Sequence, residues 1–455
     1  MTHRGTRVLH VGSLARVEGE GALHLTVDGD DVTAARLAIY EPPRFFEAFL
    51  RGRGHTEPPD ITARVCGICP VAYQLSACAA IEDACGVHIP RGIGELRRLL
   101  YCGEWIESQA LHIYLLHAPD FLGCDGAIDL ARTHRADVER GLRLKQAGNA
   151  LLELLGGRAV HPVNVRVGGF HRAPTQDELR PLAERLRQAL DDAWATVRWV
   201  SGFDFPDADC DHDFLALSAE GRYAIETGTP TVMRQGAAEV RRFALADFSR
   251  EVVEEQVPHS TALHARLRGR RYLTGCLARY AINGRLLSPL ARQTAREAGL
   301  GAVCRNPFRS ILVRAVETVY AVDEALRIID DYEAPARAYV DVPPRAGVGH
   351  GATEAPRGLL YHRYGLAADG TVTDARLVPP TAQNQSAIEE DLRRLARTAL
   401  AGRPLTDEEL TRLCEHGIRN HDPCISCSTH FLDLTVDRVA PPEGGCRERE
   451  PTHRQ

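Results

Sequence analysis

The chain has 455 residues, enough for a large core, and with 44% hydrophobic and 25% charged residues it has the composition of an ordinary globular protein. A net charge of −6, with no basic run and no RNA-binding signature, excludes a nucleic-acid partner. No apolar stretch approaches the roughly 18 residues of a membrane span, and Met1–Arg7 lack the apolar core of a secretion signal, so a cytoplasmic protein with no membrane span is expected.

Near the start, Arg16-Val17-Glu18-Gly19 precedes a hairpin over residues 20–40, with Leu23, Leu25 and Val27 alternating toward an Asp28-Gly29 turn. Taken alone, Glu18 reads as a solvated carboxylate at a strand edge. Pro42 and Pro43 open a short helix carrying Arg44 and Glu47. Arg64-Val65-Cys66-Gly67-Ile68-Cys69-Pro70 then leads into an apolar helix from Val71 to about Ala84. That helix N-terminus and Arg64 both favour thiolate over thiol at the two cysteines.

Long helical patterns follow at residues 96–117, 129–155 and 309–332, and a Thr175/Glu178 capping box opens another that runs to Val200. His112 and His117 read as packing residues. Ala355-Pro356-Arg357-Gly358 precedes a second hairpin, residues 359–378, about Asp369-Gly370. Further capping boxes are predicted at Ser386/Glu389 and Thr406/Glu409. The expected fold class is α+β, mainly α: a bundle of long helices with small peripheral hairpins and sheets.

Thirteen unevenly spaced cysteines do not resemble a secreted disulfide framework, and most sit singly as small buried hydrophobes. Two pairs differ: Cys66/Cys69, and Cys424/Cys427 within His421-Asp422-Pro423-Cys424-Ile425-Ser426-Cys427-Ser428-Thr429-His430. Each pair fills half of a four-coordinate soft-metal site. A zinc ribbon takes both pairs from one short module, and 354 residues separate these. Spacing alone leaves open a structural zinc staple joining the chain ends. The charged neighbours Arg64 and Asp422, and the nearby histidine, are not what a staple requires.

Five ordered blocks, Arg16-Val-Glu-Gly, Arg64-x-Cys-Gly-x-Cys, Ala355-Pro-Arg-Gly, Asp422-Pro-Cys-x-x-Cys and the closing His430, resemble the large, catalytic subunit of the nickel–iron hydrogenases. The wording CGICPVAYQ, APDFLG and HPVNVRVGGF looks most like the cytoplasmic group 3 enzymes, and closest to the NAD(P)-linked group 3b. The resemblance implies a Ni-Fe centre on Cys66, Cys69, Cys424 and Cys427, with Cys69 and Cys427 bridging to an iron that carries carbon monoxide and two cyanides. Arg357 and Thr381 match positions beside the cyanides, and Glu47, the Leu377 carbonyl and His430 match a magnesium site.

Dihydrogen is a very weak acid, so its heterolytic cleavage needs a metal centre and a base. The resemblance makes the Cys424 thiolate the first base, with Asp422 positioning Arg357 and Glu18 taking the proton onward. Arginine itself is a poor resting base. A hydrogen-sensing relative, or a non-catalytic one with a structural zinc, is the alternative. No iron–sulfur or flavin motif occurs in this chain, so an iron–sulfur small subunit is implied, and for group 3b a flavin- and NAD(P)-binding diaphorase pair. Residues 1–430 are expected to form a single domain, and residues 431–455 an extension removed by a maturation protease after nickel-insertion proteins have acted.

Two departures from the family pattern stand out. Tyr73 replaces a common histidine, and Ser108 replaces an aspartate that in many members lies near the arginine.

Overall fold

The computed structural model of the chain describes residues 6–429 apart from Asp30, Pro43 and residues 237–239. Its centre is built from α1 (Pro70–Cys85), α2 (Arg91–Leu111), α3 (Arg135–Gly156), α4 (Gln176–Ser201) and α5 (Ser310–Asp330). α2 packs on α3 and α5, and α5 packs on α4. From Leu96 to Ala110 every residue of α2 is buried, as expected of a helix enclosed on all sides. A Cβ at Gly148 of α3 would stand 2.6 Å from the Glu107 nitrogen, so the close approach of α2 and α3 requires glycine there.

The predicted helices are present, with three differences: the short helix expected from Pro42 and Pro43 spans only Phe46–Leu50, carrying Glu47 but not Arg44. The 129–155 pattern breaks at His134, into Ala127–Thr133 and α3. The 96–117 pattern becomes α2 followed by a π-helical turn, His112–His117, whose wider spacing sets both histidines in buried positions. The Thr175/Glu178 box caps α4 reciprocally.

β1 (Thr6–Val11), β2 (Gly21–Asp28) and β3 (Asp31–Ile39) form an antiparallel sheet in that order, with the predicted hairpin as β2–β3. β4 (Gly347–Ala355), β5 (Gly358–Leu366) and β6 (Val372–Val378) form another, in which β5–β6 is the second predicted hairpin. Gly347, Gly349 and Gly351 weaken the strand signal of β4, yet they let it lie against α1. A Cβ at Gly349 would be 1.9 Å from the Ala80 carbonyl oxygen, and one at Gly351 2.4 Å from that of Ser76.

α6 (Pro380–Gly402) and α7 (Asp407–Arg419) share a second core with the β1–β3 sheet, including Leu23, Leu25, Leu37, Leu392 and Ile418. The Thr406/Glu409 box caps α7 as predicted. The Ser386/Glu389 box does not form. α6 already starts at Pro380, which suits a first turn, so Ser386 lies buried in mid-helix. Glu389 instead accepts hydrogen bonds from the Leu37 N–H and from His259. The architecture is α+β and mainly helical, and no described helix is long and apolar enough to cross a membrane.

Candidate metal centre

The turn after Ala63–Val65 delivers Cys66, and Cys69 is the residue from which α1 starts, with Pro70 in its first turn. The N–H groups of Ile68 and Cys69 point at Cys66 Sγ, 3.3 and 3.4 Å away. The second pair follows α7. Asp422 takes a left-handed φ of 49°, which turns the chain inward, and the Cys424 N–H donates to Thr381 Oγ1 at 2.9 Å.

Cys66, Cys69, Cys424 and Cys427 meet with all four sulfurs within 4.8 Å of one another and each residue at most 3% exposed. Cys66 and Cys424 sulfurs are 3.5 Å apart, and those of Cys69 and Cys427 are 3.6 Å apart. Sulfurs held at about 2.3 Å from one ion lie roughly 3.3–4.6 Å from each other, so these two distances between the pairs fit a single ion. Cys424 and Cys427 are joined as a disulfide, and four-thiolate ligation requires that pair reduced.

Arg44 ties the two loops together. It donates to the Val65 carbonyl beside Cys66 at 2.7 Å and to the Ser426 carbonyl between the other two cysteines, while its own N–H donates to the Thr429 carbonyl. Nothing in the local sequence marked it. Arg64, expected to bias the thiols, is exposed; Arg357 is the cation that acts on them. Hydrogen bonding with Cys69 holds the Cys66 thiol below its ordinary range against the effect of burial, and Arg357 adds to this. Tyr73 donates to the Cys427 carbonyl at 3.3 Å.

Glu18 pairs with the second loop through backbone and side chain. Its carbonyl accepts from the Ile425 N–H at 2.9 Å, and its Oε2 lies 3.1 Å from both Cys424 Sγ and the Ser426 nitrogen. It is therefore not a solvated strand-edge carboxylate. Ser426 Oγ donates to Glu41 Oε1 at 3.0 Å, which extends the polar chain outward through residues that carried no sequence signal.

Arg357 projects from the turn between β4 and β5. Its Nε donates to the Asp422 carbonyl at 3.0 Å and its Nη2 lies 3.1 Å from Asp422 Oδ1. Arg314 of α5 is 3.5 Å from Asp422 Oδ2. Arg279 donates to the carbonyls of Ala355 and Pro356 and is itself held by Glu317, all within the core. Burial opposes ionisation of Asp422, yet Arg357, His112 and Arg314 pull its carboxyl below the usual range. Burial likewise opposes the charge on Arg357, but Asp422, Cys69, Cys66 and Glu18 together outweigh it, holding the guanidinium protonated. Ser108 Oγ is buried without a partner among the described residues, so Asp422 is the carboxylate that faces Arg357.

Arg357 Nη1 is also buried and has no hydrogen-bond acceptor among the described residues. A donor left over in a dry pocket beside four sulfurs suits a metal centre that carries acceptor ligands. Thr381, 2% exposed, accepts from Cys424 and keeps its own O–H to give. Elsewhere, Glu47 is buried with its Oε1 2.8 Å from the Leu377 N–H, and burial pushes its carboxyl up to about 8. His430 lies outside the described residues.

The fold and site define a mainly helical metalloprotein with a buried four-cysteine centre drawn from both ends of the chain. The family model described as nickel-dependent hydrogenase matches residues 44–150 and 263–430. The chain is 32% identical to sulfhydrogenase 2 subunit alpha of Pyrococcus furiosus, over 94% of this chain and 100% of that one. It is 33% identical to sulfhydrogenase 1 subunit alpha of the same organism, over 93% and 98%. Among solved structures, an NAD+-reducing [NiFe]-hydrogenase in the H2-reduced state matches with a TM-score of 0.85 and 27% identity, covering 94% of this chain and 100% of that one. The chain therefore belongs to the nickel-dependent hydrogenase family, as a large subunit.

Proposed function

We propose that this chain is the catalytic subunit of a group 3b-type, NAD(P)-linked nickel–iron hydrogenase acting reversibly on dihydrogen. The observation that carries the reading is the contact of Cys424 Sγ with Glu18 Oε2, 3.1 Å, at the rim of the four-sulfur site. Cys66, Cys69, Cys424 and Cys427 would hold nickel, Cys69 and Cys427 would also hold iron, and Arg357 and Thr381 would face its cyanides. When bound, such a centre supplies the cleavage of dihydrogen into protons and electrons.

The protein residues then handle the proton. The Cys424 thiolate accepts it, and Glu18, in contact with that sulfur, takes it away from the metals. The Ser426 N–H holds Glu18 in place and the Ser426 hydroxyl binds Glu41, which makes Glu41 the next carboxylate toward solvent. Arg357, kept charged by Asp422, orients the far side of the pocket, where its unpaired nitrogen has a partner to find. Glu47, the Leu377 carbonyl and His430 would hold a magnesium ion near the C-terminal end.

Electrons would leave through an iron–sulfur small subunit and a diaphorase pair carrying flavin and NAD(P), in the cytoplasm. The likeness to an NAD+-reducing enzyme supports that linkage. Residues 431–455 would be removed after nickel insertion, so that the mature chain ends at His430. Metal analysis with infrared spectroscopy tests the centre: about one nickel and one iron with carbonyl and cyanide bands is expected, and one zinc without such bands would overturn it. Intact mass tests the tail, since an active chain still ending at Gln455 would refute cleavage.

A further inference from the structure

A second constellation of ligating side chains lies where the strand His264–Leu267 and the loop before it meet α6. His259, His264 and Glu389 each present a ligand atom within 4.8 Å of the other two. The two rings stand edge to face, their centroids 5.5 Å apart. His259 Nε2 lies 2.7 Å from Glu389 Oε1, and the Leu37 N–H donates to that same oxygen at 2.9 Å, which fixes the carboxylate. His264 is 2% exposed, and its Nε2 is buried with no hydrogen-bond partner among the described residues. Burial holds His264 down to about 4, so at neutral pH the ring is uncharged and keeps a lone pair. Glu389 and His259 are only half-buried, which leaves an entry from solvent.

We propose that His259, His264 and Glu389 form a binding site for a zinc-class divalent cation, separate from the four-cysteine centre. Two imidazoles and a carboxylate are a borderline donor set suited to such an ion, with a fourth position left for water. The other cluster of this kind, His117, Asp120 and His416, is unsuited. Both oxygens of Asp120 are taken by Arg419, one of them also by Arg16, and two guanidiniums there repel a cation. At the proposed site Arg266 is the cation that faces His264, and Glu255 offsets it. An ion here would tie the 257–264 loop to α6, whose first turn holds Thr381 against Cys424.

The test is calorimetric titration of the purified, nickel-loaded enzyme with zinc ion alone, after loosely held metal is stripped, for wild type, His259→Ala and Glu389→Gln. One equivalent should bind to wild type, with affinity at least about tenfold weaker in each variant and nickel content unchanged. No binding to wild type, or equal binding in all three, overturns the proposal. Because either variant could disturb packing, X-ray absorption at the zinc edge of the wild type is the second readout. A nitrogen and oxygen shell with imidazole scattering supports the site, and a sulfur shell overturns it.

Discussion

Arg314 Nη1 stands 3.5 Å from Asp422 Oδ2 and 3.3 Å from the Pro356 carbonyl, so one buried guanidinium on α5 touches both the carboxylate that faces Arg357 and the backbone just before Arg357. Removing one member of a buried ion pair typically costs about 3–5 kcal/mol, because the other charge is left stranded. Arg314→Met is expected to lower hydrogen turnover roughly 10- to 100-fold with nickel retained, as for other residues that orient ligands from outside the shell. Turnover assays with nickel analysis check this, and wild-type turnover would remove the positioning role.

Glu18→Gln keeps the shape of the side chain but not its capacity to take a proton from Cys424. A loss of roughly 10²–10⁴-fold in hydrogen–deuterium exchange is expected, the range for a missing general base. Nickel and iron contents should not change. Glu41→Gln, one step further along the Ser426 contact, should slow exchange by less. Exchange at the wild-type rate in Glu18→Gln would rule out the proton route drawn here.

Arg44 reaches both cysteine loops, and hydrogen bonds from a charged donor are worth about 1.5–3 kcal/mol each. Arg44→Ala should therefore leave the two pairs less well held against each other. The expected result is a purified protein with reduced nickel content and lower thermal stability, read by elemental analysis and by a melting curve. A full nickel complement with an unchanged Tm would show that the loops need no tie.

Glu324 provides a pH signature remote from the metals. Burial raises its carboxyl, but hydrogen bonds and charge from Arg327 and the fully buried Arg98 outweigh this and hold it down at about 2, from an ordinary 4.5. Because the folded value is the lower one, its stabilisation is fully present above about pH 4.5 and disappears as the pH falls toward 2. That shift corresponds to at most about 3 kcal/mol. Glu324→Gln should be destabilised by a large part of that amount at pH 7 and converge with wild type near pH 2, as measured by denaturant unfolding. A constant difference across that range would contradict the assignment.

The four-cysteine site was legible because its residues come as two tight local patterns, Cys66/Cys69 and Cys424/Cys427, each beside a residue that marks the turn. The helices were legible from their period, and α4 and α7 from their capping boxes. Arg44, Arg279 and Arg314 were not, since a lone arginine in a helical or loop segment gives no sign of which carbonyl, 21 to 382 residues away, it will meet. β4 was hidden by the very glycines that seat it. Ser386/Glu389 misled because a capping box is a local pattern, and the proline at the start of α6 had already opened the helix. Arg64 misled in the opposite way: adjacency in sequence put it near the thiols, while the turn before Cys66 leaves it exposed to solvent.

The glycines of β4 also couple this strand to the four-cysteine site. α1 begins directly after Cys69 and carries Ala80 on the side where Gly349 rests. A single methyl group at Gly349 would press on the helix backbone, and a helix passes such a push along its axis because its own hydrogen bonds resist bending. The displacement would then reach Cys69 at the helix start. A strand that contributes no ligand thus acts as the seat of a lever, and its most permissive residue type sits at one of its least permissive positions.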